Sequence, residues 1–476
     1  MKKVLLTIII VSGFFLLYLP HFNNPGTVRI VEDSIYTKTS PGYYPYPLHG
    51  DEWNVVALSV YTMETGNFPN VNPYTNTYHF NLQSGTHIFV SMIFKSTGLD
   101  ILYYFQFLAS VVGVLTALFL FLFVQTITKN DYSAFFSSMF YLSINSNINT
   151  LGHFFFVPST FSFFIMMAFL YFYLKNYQLL AVLAFVISVL SYPMVSLLLL
   201  AVYLINEVII KGKINYKVFV LPGLMALLSL LVLRERVINI LEIVTFRHGW
   251  TEGFEHVFGL FDHVSPIVYL FGIIGIGYLI YKKQYFVLLL FLPIVSIFSY
   301  LLFDMSYFFP YQRALLYTFI ALTITAGIGI GIAFEYFRKI NYYVAVFLAF
   351  VLIGTSFIGY YDVPDQRFYI MHLAQTEDIN ALRYVKDHFG TGNTIMVEPL
   401  TTFASYPASK NQVIATPPSN LHSGNITEVT AFFTGNCQSK ENIIRERNIS
   451  VVVTRHRILC GFNEQILNGV YIYDTR

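Results

Sequence analysis

The chain has 476 residues, of which 55% are hydrophobic and 11% charged, with 28 Lys and Arg against 26 Asp and Glu. Soluble globular domains carry about 25% charged residues, so the composition excludes an ordinary soluble enzyme and points to a polytopic membrane protein. A formal net charge of +2 gives no argument for a nucleic-acid partner, and none is expected.

The chain opens with Met1-Lys2-Lys3 and an apolar run from Val4 to Leu19. No small-x-small cleavage site follows, only Pro20-His21-Phe22, so the run reads as an uncleaved first span. A long loop, 21–100, comes next. It holds Leu48-His49-Gly50-Asp51-Glu52-Trp53, two adjacent carboxylates in a chain that uses few. Residues 53–61 have helical periodicity, and Asp51 is a suitable N-cap for them. The same pair at a membrane surface also offers acid–base chemistry. Beyond Gly66, Asn67-Phe68-Pro69-Asn70-Val71-Asn72-Pro73-Tyr74 is rich in turn formers. Residues 85–98 are too short to span and suit an interfacial helix.

Apolar runs follow at 101–125, 132–149, 155–174, 178–191, 193–210, 216–233, 264–281, 285–303, 312–333 and 341–360. With 85–98 left out of the membrane, Lys129, Lys175, Lys211, Lys213, Lys217, Lys282, Lys283, Arg338 and Lys339 all fall on the side of Lys2 and Lys3. That is the positive-inside pattern. It gives about eleven transmembrane helices in the cell membrane, an N-terminus in the cytoplasm and a C-terminus outside. The outer face then carries the loop 21–100, a connection near 146–156 with Asn147, Asn149 and His153, a loop at 234–263 with Arg234, Arg236, Arg247 and His248, and a turn from Asp304 to Arg313. The fold class expected is an all-α polytopic membrane domain, 1–360, followed by a small extracytoplasmic α/β domain, 361–476.

In that tail, helical spacing is expected over 377–389 and 439–447, and strands over 394–397, 412–415, 450–454 and 469–473. Cys437 and Cys460, the only cysteines, are able to pair in an oxidising compartment for about 3 kcal/mol. Asn425-Ile-Thr427 and Asn448-Ile-Ser450 match the glycosylation sequon, a weak signal.

The layout resembles the GT-C class of integral-membrane glycosyltransferases, which includes protein O-mannosyltransferases, aminoarabinose transferases and oligosaccharyltransferase catalytic subunits. The likeness is carried by Gly50-Asp51-Glu52 after the first span, by Glu64-Thr65-Gly66-Asn67-Phe68-Pro69 and Asn72-Pro73-Tyr74, by a short helix ending in Thr97-Gly98-Leu99, and by many spans ending in an outer domain. It implies an inverting sugar transfer from a polyprenyl-phosphate-linked donor to an acceptor that is a protein, lipid or glycan. By the same likeness Asp51 is the general base or orients the acceptor, and Glu52 assists.

A lipid phosphate leaving group needs cations or hydrogen-bond donors. Arg313 fits best, because it opens a span after Phe309-Pro310-Tyr311-Gln312. Arg247, His248, Arg234 and Arg236 come next, although arginines at span ends also snorkel to headgroups. His49, Asn72, Tyr74 and His153 are candidates for acceptor or sugar contacts. His79 and His87 leave a divalent metal beside Asp51 open, but lone loop histidines are ordinarily polar surface. No acid lies in the second outer connection and the tail has no Trp, which argues against transfer of oligosaccharide to asparagine. A flippase or transporter of lipid-linked glycan and a non-catalytic surface-polymer binder are the rival readings. The near absence of charge within the spans disfavours transport.

Overall fold

The computed structural model describes residues 2–22, 28–31, 34–38, 43–79, 81, 83–144, 152–153, 155–212, 220–232, 245–246, 264–303, 306–307, 309–357, 373–399, 401–416 and 426–476. The chain forms two compact units. One contains residues 1–18 and 109–364, the other residues 19–108 and 365–476. The loop 21–100 thus belongs to the same unit as the C-terminal tail.

Each of the eleven apolar runs carries helix. Among the described residues, five helical segments are long and apolar enough to cross a membrane: Lys2–Leu19, Ile101–Thr128, Pro193–Ile210, Tyr285–Phe303 and Arg313–Ile340. Others are shorter. Gln178–Ser191 has 14 residues, about 21 Å at 1.5 Å per residue, against a hydrocarbon core of about 30 Å. Prolines place the starts of Pro158–Leu174, Pro193–Leu204 and Pro266–Tyr281, where the missing N–H costs no helix bond. Between the second of these and the helix before it, Tyr192 is extended, so Ser191-Tyr192-Pro193 is a tight turn.

The first unit is held by close helix contacts at small residues. Helix Tyr311–Ile340 carries Gly327, Gly329 and Gly331. A Cβ on Gly327 would meet the Ser137 backbone nitrogen at 2.1 Å, and one on Gly331 would meet the Ser133 backbone at 2.5 Å. On the opposite side, a Cβ on Gly329 would lie 2.3 Å from the carbonyl oxygen of Phe271. Small residues allow backbones to approach where no hydrophobic force distinguishes protein from lipid. Ser137 then donates its hydroxyl to the carbonyl of Ile324 at 3.0 Å.

The second unit joins an amino-terminal piece to an α/β domain. The first piece contains helices Gly50–Thr65 and Ser84–Thr97, packed on each other, and a short hairpin, Val71–Asn72 with Thr77–Tyr78. The domain has a five-stranded sheet in the spatial order Asn463–Leu467, Val470–Asp474, Ile449–Thr454, Thr394–Val397, Gln412–Val413. The last three strands are mutually parallel and the first two antiparallel. Its core gathers Met396, Val429, Phe432, Ile444, Val452 and Tyr473. Strand Asn463–Leu467 and helices Thr402–Ser409 and Ile426–Thr434 were not expected from the sequence.

Candidate active site

Helix Gly50–Thr65 starts one residue before the acidic pair, and His49 caps it. His49 is extended, and its Nδ1 accepts the backbone N–H of Asp51 at 3.1 Å. That bond fixes Nε2 as the protonated nitrogen of the neutral ring. The capping role expected for Asp51 falls to His49, because the helix begins at Gly50 and leaves Asp51 already inside it.

The two carboxylates do different things. Glu52 is buried, and its Oε2 accepts the N–H groups of Leu48 at 2.8 Å and His49 at 3.2 Å. This is the reciprocal half of a capping box. The Asp51 side chain is 20% exposed, with Oδ2 at 4.0 Å from His49 Nδ1. It lies in the first turn, where a helix stabilises negative charge.

One turn on, Asn54 is 4% exposed, and among the described residues neither Nδ2 nor Oδ1 has a hydrogen-bond partner. An unpaired buried amide costs roughly 1–3 kcal/mol, so this is a costly residue for packing alone. It sits at i+3 from Asp51, on the same helix face. Sequence reasoning missed it. The signal was an asparagine inside the apolar run from Trp53 to Leu58.

Asn72 and Tyr74 are buried in the same unit. Asn72 Oδ1 accepts the N–H of Tyr74 at 3.0 Å, closing a turn. The Tyr74 hydroxyl donates to the carbonyl of Phe403 at 2.8 Å, and the Tyr74 carbonyl accepts the N–H of Val413 at 2.7 Å. The polar atoms of Tyr74 therefore bind the loop to the C-terminal domain, and Asn72 closes the turn that holds it. Lys410 and Glu64 add an ion pair at 3.1 Å, and Arg383 pairs with Asp100.

His87 is buried, and burial lowers its imidazole to about 3, with the neighbouring His79 acting in the same direction. Among the described residues no three His, Cys, Asp or Glu side chains gather to hold a metal ion.

His153 and Arg313 belong to the first unit. His153 is buried, with Nε2 at 3.1 Å from the Leu142 carbonyl and its ring 5.1 Å from that of Tyr141. Burial lowers its imidazole to about 3. Arg313 is half-buried in the first turn of helix Tyr311–Ile340. Its Nη1 is buried without a hydrogen-bond partner among the described residues. Arg234, Arg236, Arg247 and His248 lie outside the described residues, as do Asn147, Asn149 and the sequon at Asn425. Cys437 and Cys460 form a disulfide.

No protein-family model and no curated protein matches the sequence. Solved structures do match the fold. The Archaeoglobus fulgidus oligosaccharyltransferase in complex with Zn and sulfate aligns with a TM-score of 0.60 at 13% identity, over 94% of this chain and 67% of that one. AglB from the same organism, in complex with an inhibitory peptide and a dolichol-phosphate, gives 0.61 at 12% identity over 95% and 69%. ArnT from Cupriavidus metallidurans, bound to undecaprenyl phosphate, gives 0.52 at 12% identity over 95% and 92%. The chain shares its fold with these three proteins.

Proposed function

We propose that this protein is a membrane glycosyltransferase that moves a sugar from a polyprenyl-phosphate-linked donor to an extracytoplasmic acceptor with inversion. The observation that carries the reading is the acidic first turn on a GT-C fold: Glu52 is engaged in capping, which leaves Asp51 as the carboxylate available for chemistry. The neighbours solved with dolichol-phosphate and undecaprenyl phosphate support the donor class.

In this reading the acceptor hydroxyl oxygen attacks the anomeric carbon from the face opposite the phosphate. A new C–O bond forms, and the bond from the anomeric carbon to the phosphate oxygen breaks. The lipid phosphate leaves with the electron pair, and the hydroxyl proton passes to Asp51. A positioned base contributes about 100- to 10,000-fold. Asn54, on the same helix face, would hydrogen-bond acceptor or sugar. Arg313 would receive the lipid phosphate: among the described residues its buried Nη1 has no hydrogen-bond partner, and a phosphate oxygen supplies a charge-assisted bond. Glu52 and His49 set the geometry of the turn.

The eleven-span topology, with the loop 21–100 and residues 361–476 outside, belongs to this proposal. The likeness to an oligosaccharyltransferase is one of fold, and the tail lacks Trp, so the acceptor stays a protein, lipid or glycan. The test is transfer by purified protein from a polyprenyl-phosphate sugar. Asp51→Asn should fold and insert normally yet lose transfer. Transfer by Asp51→Asn at the native rate refutes the assignment.

A further inference from the structure

The carboxyl ends of strands Thr394–Val397 and Ile449–Thr454 lie side by side, because the strands run parallel with Val397 opposite Val453. Glu398 bridges them: its Oε1 accepts from Thr454 Oγ1 at 2.7 Å and from the Arg455 N–H at 2.8 Å. From Thr394–Val397 the chain moves to Gln412–Val413 on one side, then crosses back to Ile449–Thr454 on the other. In open α/β sheets such a reversal opens a crevice beyond the strand ends, and ligands bind there.

In this domain the crevice is a cavity of about 390 Å³, a volume in the range of small-ligand sites. One wall is the segment leaving Ile449–Thr454, including His456 and Arg457. The other is the end of helix Ile426–Thr434 and the start of Cys437–Arg447. The disulfide clamps the two walls together.

The lining has a definite chemistry. Lys440, His456 and Arg457 supply nitrogen donors beside Glu398, whose Oε1 already accepts two bonds; Arg457 Nε is paired with Glu464 at 3.0 Å, so its Nη groups are the donors offered to a ligand. Lys440 is 7% exposed and donates to the carbonyls of Gly435 and, at 3.5 Å, Phe433. An ammonium has three donors; these two bonds leave a third, with the Phe432 ring 5.9 Å from Nζ as its other neighbour. The hydroxyls of Thr430 and Thr434 suit an alcohol. Phe433 and the 80% exposed Leu459 suit the C–H face of a sugar ring.

We propose that this crevice binds a saccharide unit bearing an anionic group, a carboxylate or a phosphate. The site is built within the C-terminal domain, and the inference stands independently of sugar transfer. Calorimetry on the full-length protein in detergent, with glucuronic acid, glucose 6-phosphate, glucose and inorganic phosphate as probes, tests it. Glucuronic acid or glucose 6-phosphate should bind at least tenfold more tightly than glucose or free phosphate, about the value of one charge-assisted hydrogen bond.

Arg457→Gln should weaken binding about tenfold. The Arg457 side chain is 60% exposed, so the variant should fold. Thr434→Trp, also at an exposed position, should fill the mouth and abolish binding. Failure of both anionic sugars to bind overturns the proposal. So does free phosphate binding as tightly as the sugar phosphate, which would mark a bare anion site. Binding unchanged in Thr434→Trp would place the ligand elsewhere and overturn it too.

Discussion

The hydroxyl of Tyr74 donates to the carbonyl oxygen of Phe403 at 2.8 Å, across 329 residues of sequence. Tyr74 is fully buried, so this bond and the contact around it fix the loop that follows the Asp51 helix to the C-terminal domain. Tyr74→Phe leaves a buried carbonyl without its donor, a cost of about 1–3 kcal/mol. Thermal unfolding of the purified protein should register that loss. An unchanged midpoint would show that the bond adds nothing.

Asp51 and Glu52 should separate by phenotype. Asp51→Asn should retain the fold and lose about 100- to 10,000-fold in transfer rate. Glu52→Ala should instead lower stability by about 0.5–2 kcal/mol through loss of the capping box. Thermal denaturation set beside single-turnover transfer checks the split. Equal kinetic losses in the two variants, with stability untouched, would remove the distinction.

Arg313→Gln should weaken use of the lipid-linked donor by roughly 10- to 100-fold, as loss of a bond to a charged group predicts. Arg313→Lys should restore part of it, since a point charge still attracts phosphate. The readout is KM for the donor. A snorkelling arginine would leave that KM unmoved.

Legibility differed by range. The apolar runs, four of the five strands of the tail and the cysteine pair follow from local pattern. Asn54 was hidden because a single polar residue in an apolar helix has no periodicity. The latch from Tyr74 to Phe403 was hidden because its partners are far apart in sequence. The hairpin closed by Asn468-Gly469 was legible yet overlooked: φ is positive at both residues, 50° and 84°, as a two-residue turn requires. The glycines facing Ser133 and Ser137 resemble ordinary span residues until the neighbouring helix is known.

Stability should fall on acidification below neutrality. The unfolded chain protonates His87 near pH 6.5, whereas burial keeps it neutral in the fold down to about 3. Its contribution is therefore complete above about pH 6.5 and declines towards pH 3, with about 2 kcal/mol lost by pH 5. His87→Gln should flatten that part of the profile. Denaturant unfolding between pH 7 and pH 5 tests the sign.

Reduction of the Cys437–Cys460 disulfide, which closes a separation of 23 residues, should destabilise the C-terminal domain by about 3 kcal/mol. Limited proteolysis with and without reductant measures it. Equal cleavage rates would contradict the estimate.

The central claim is tested most directly by mass spectrometry of surface glycans and lipid-linked sugars. The comparison is between a deletion strain and strains restored with the native protein or with Asp51→Asn. Loss of one sugar on deletion, with return only in the native complement, is the result predicted. Glycans unchanged in every strain, or restored equally by Asp51→Asn, would contradict it.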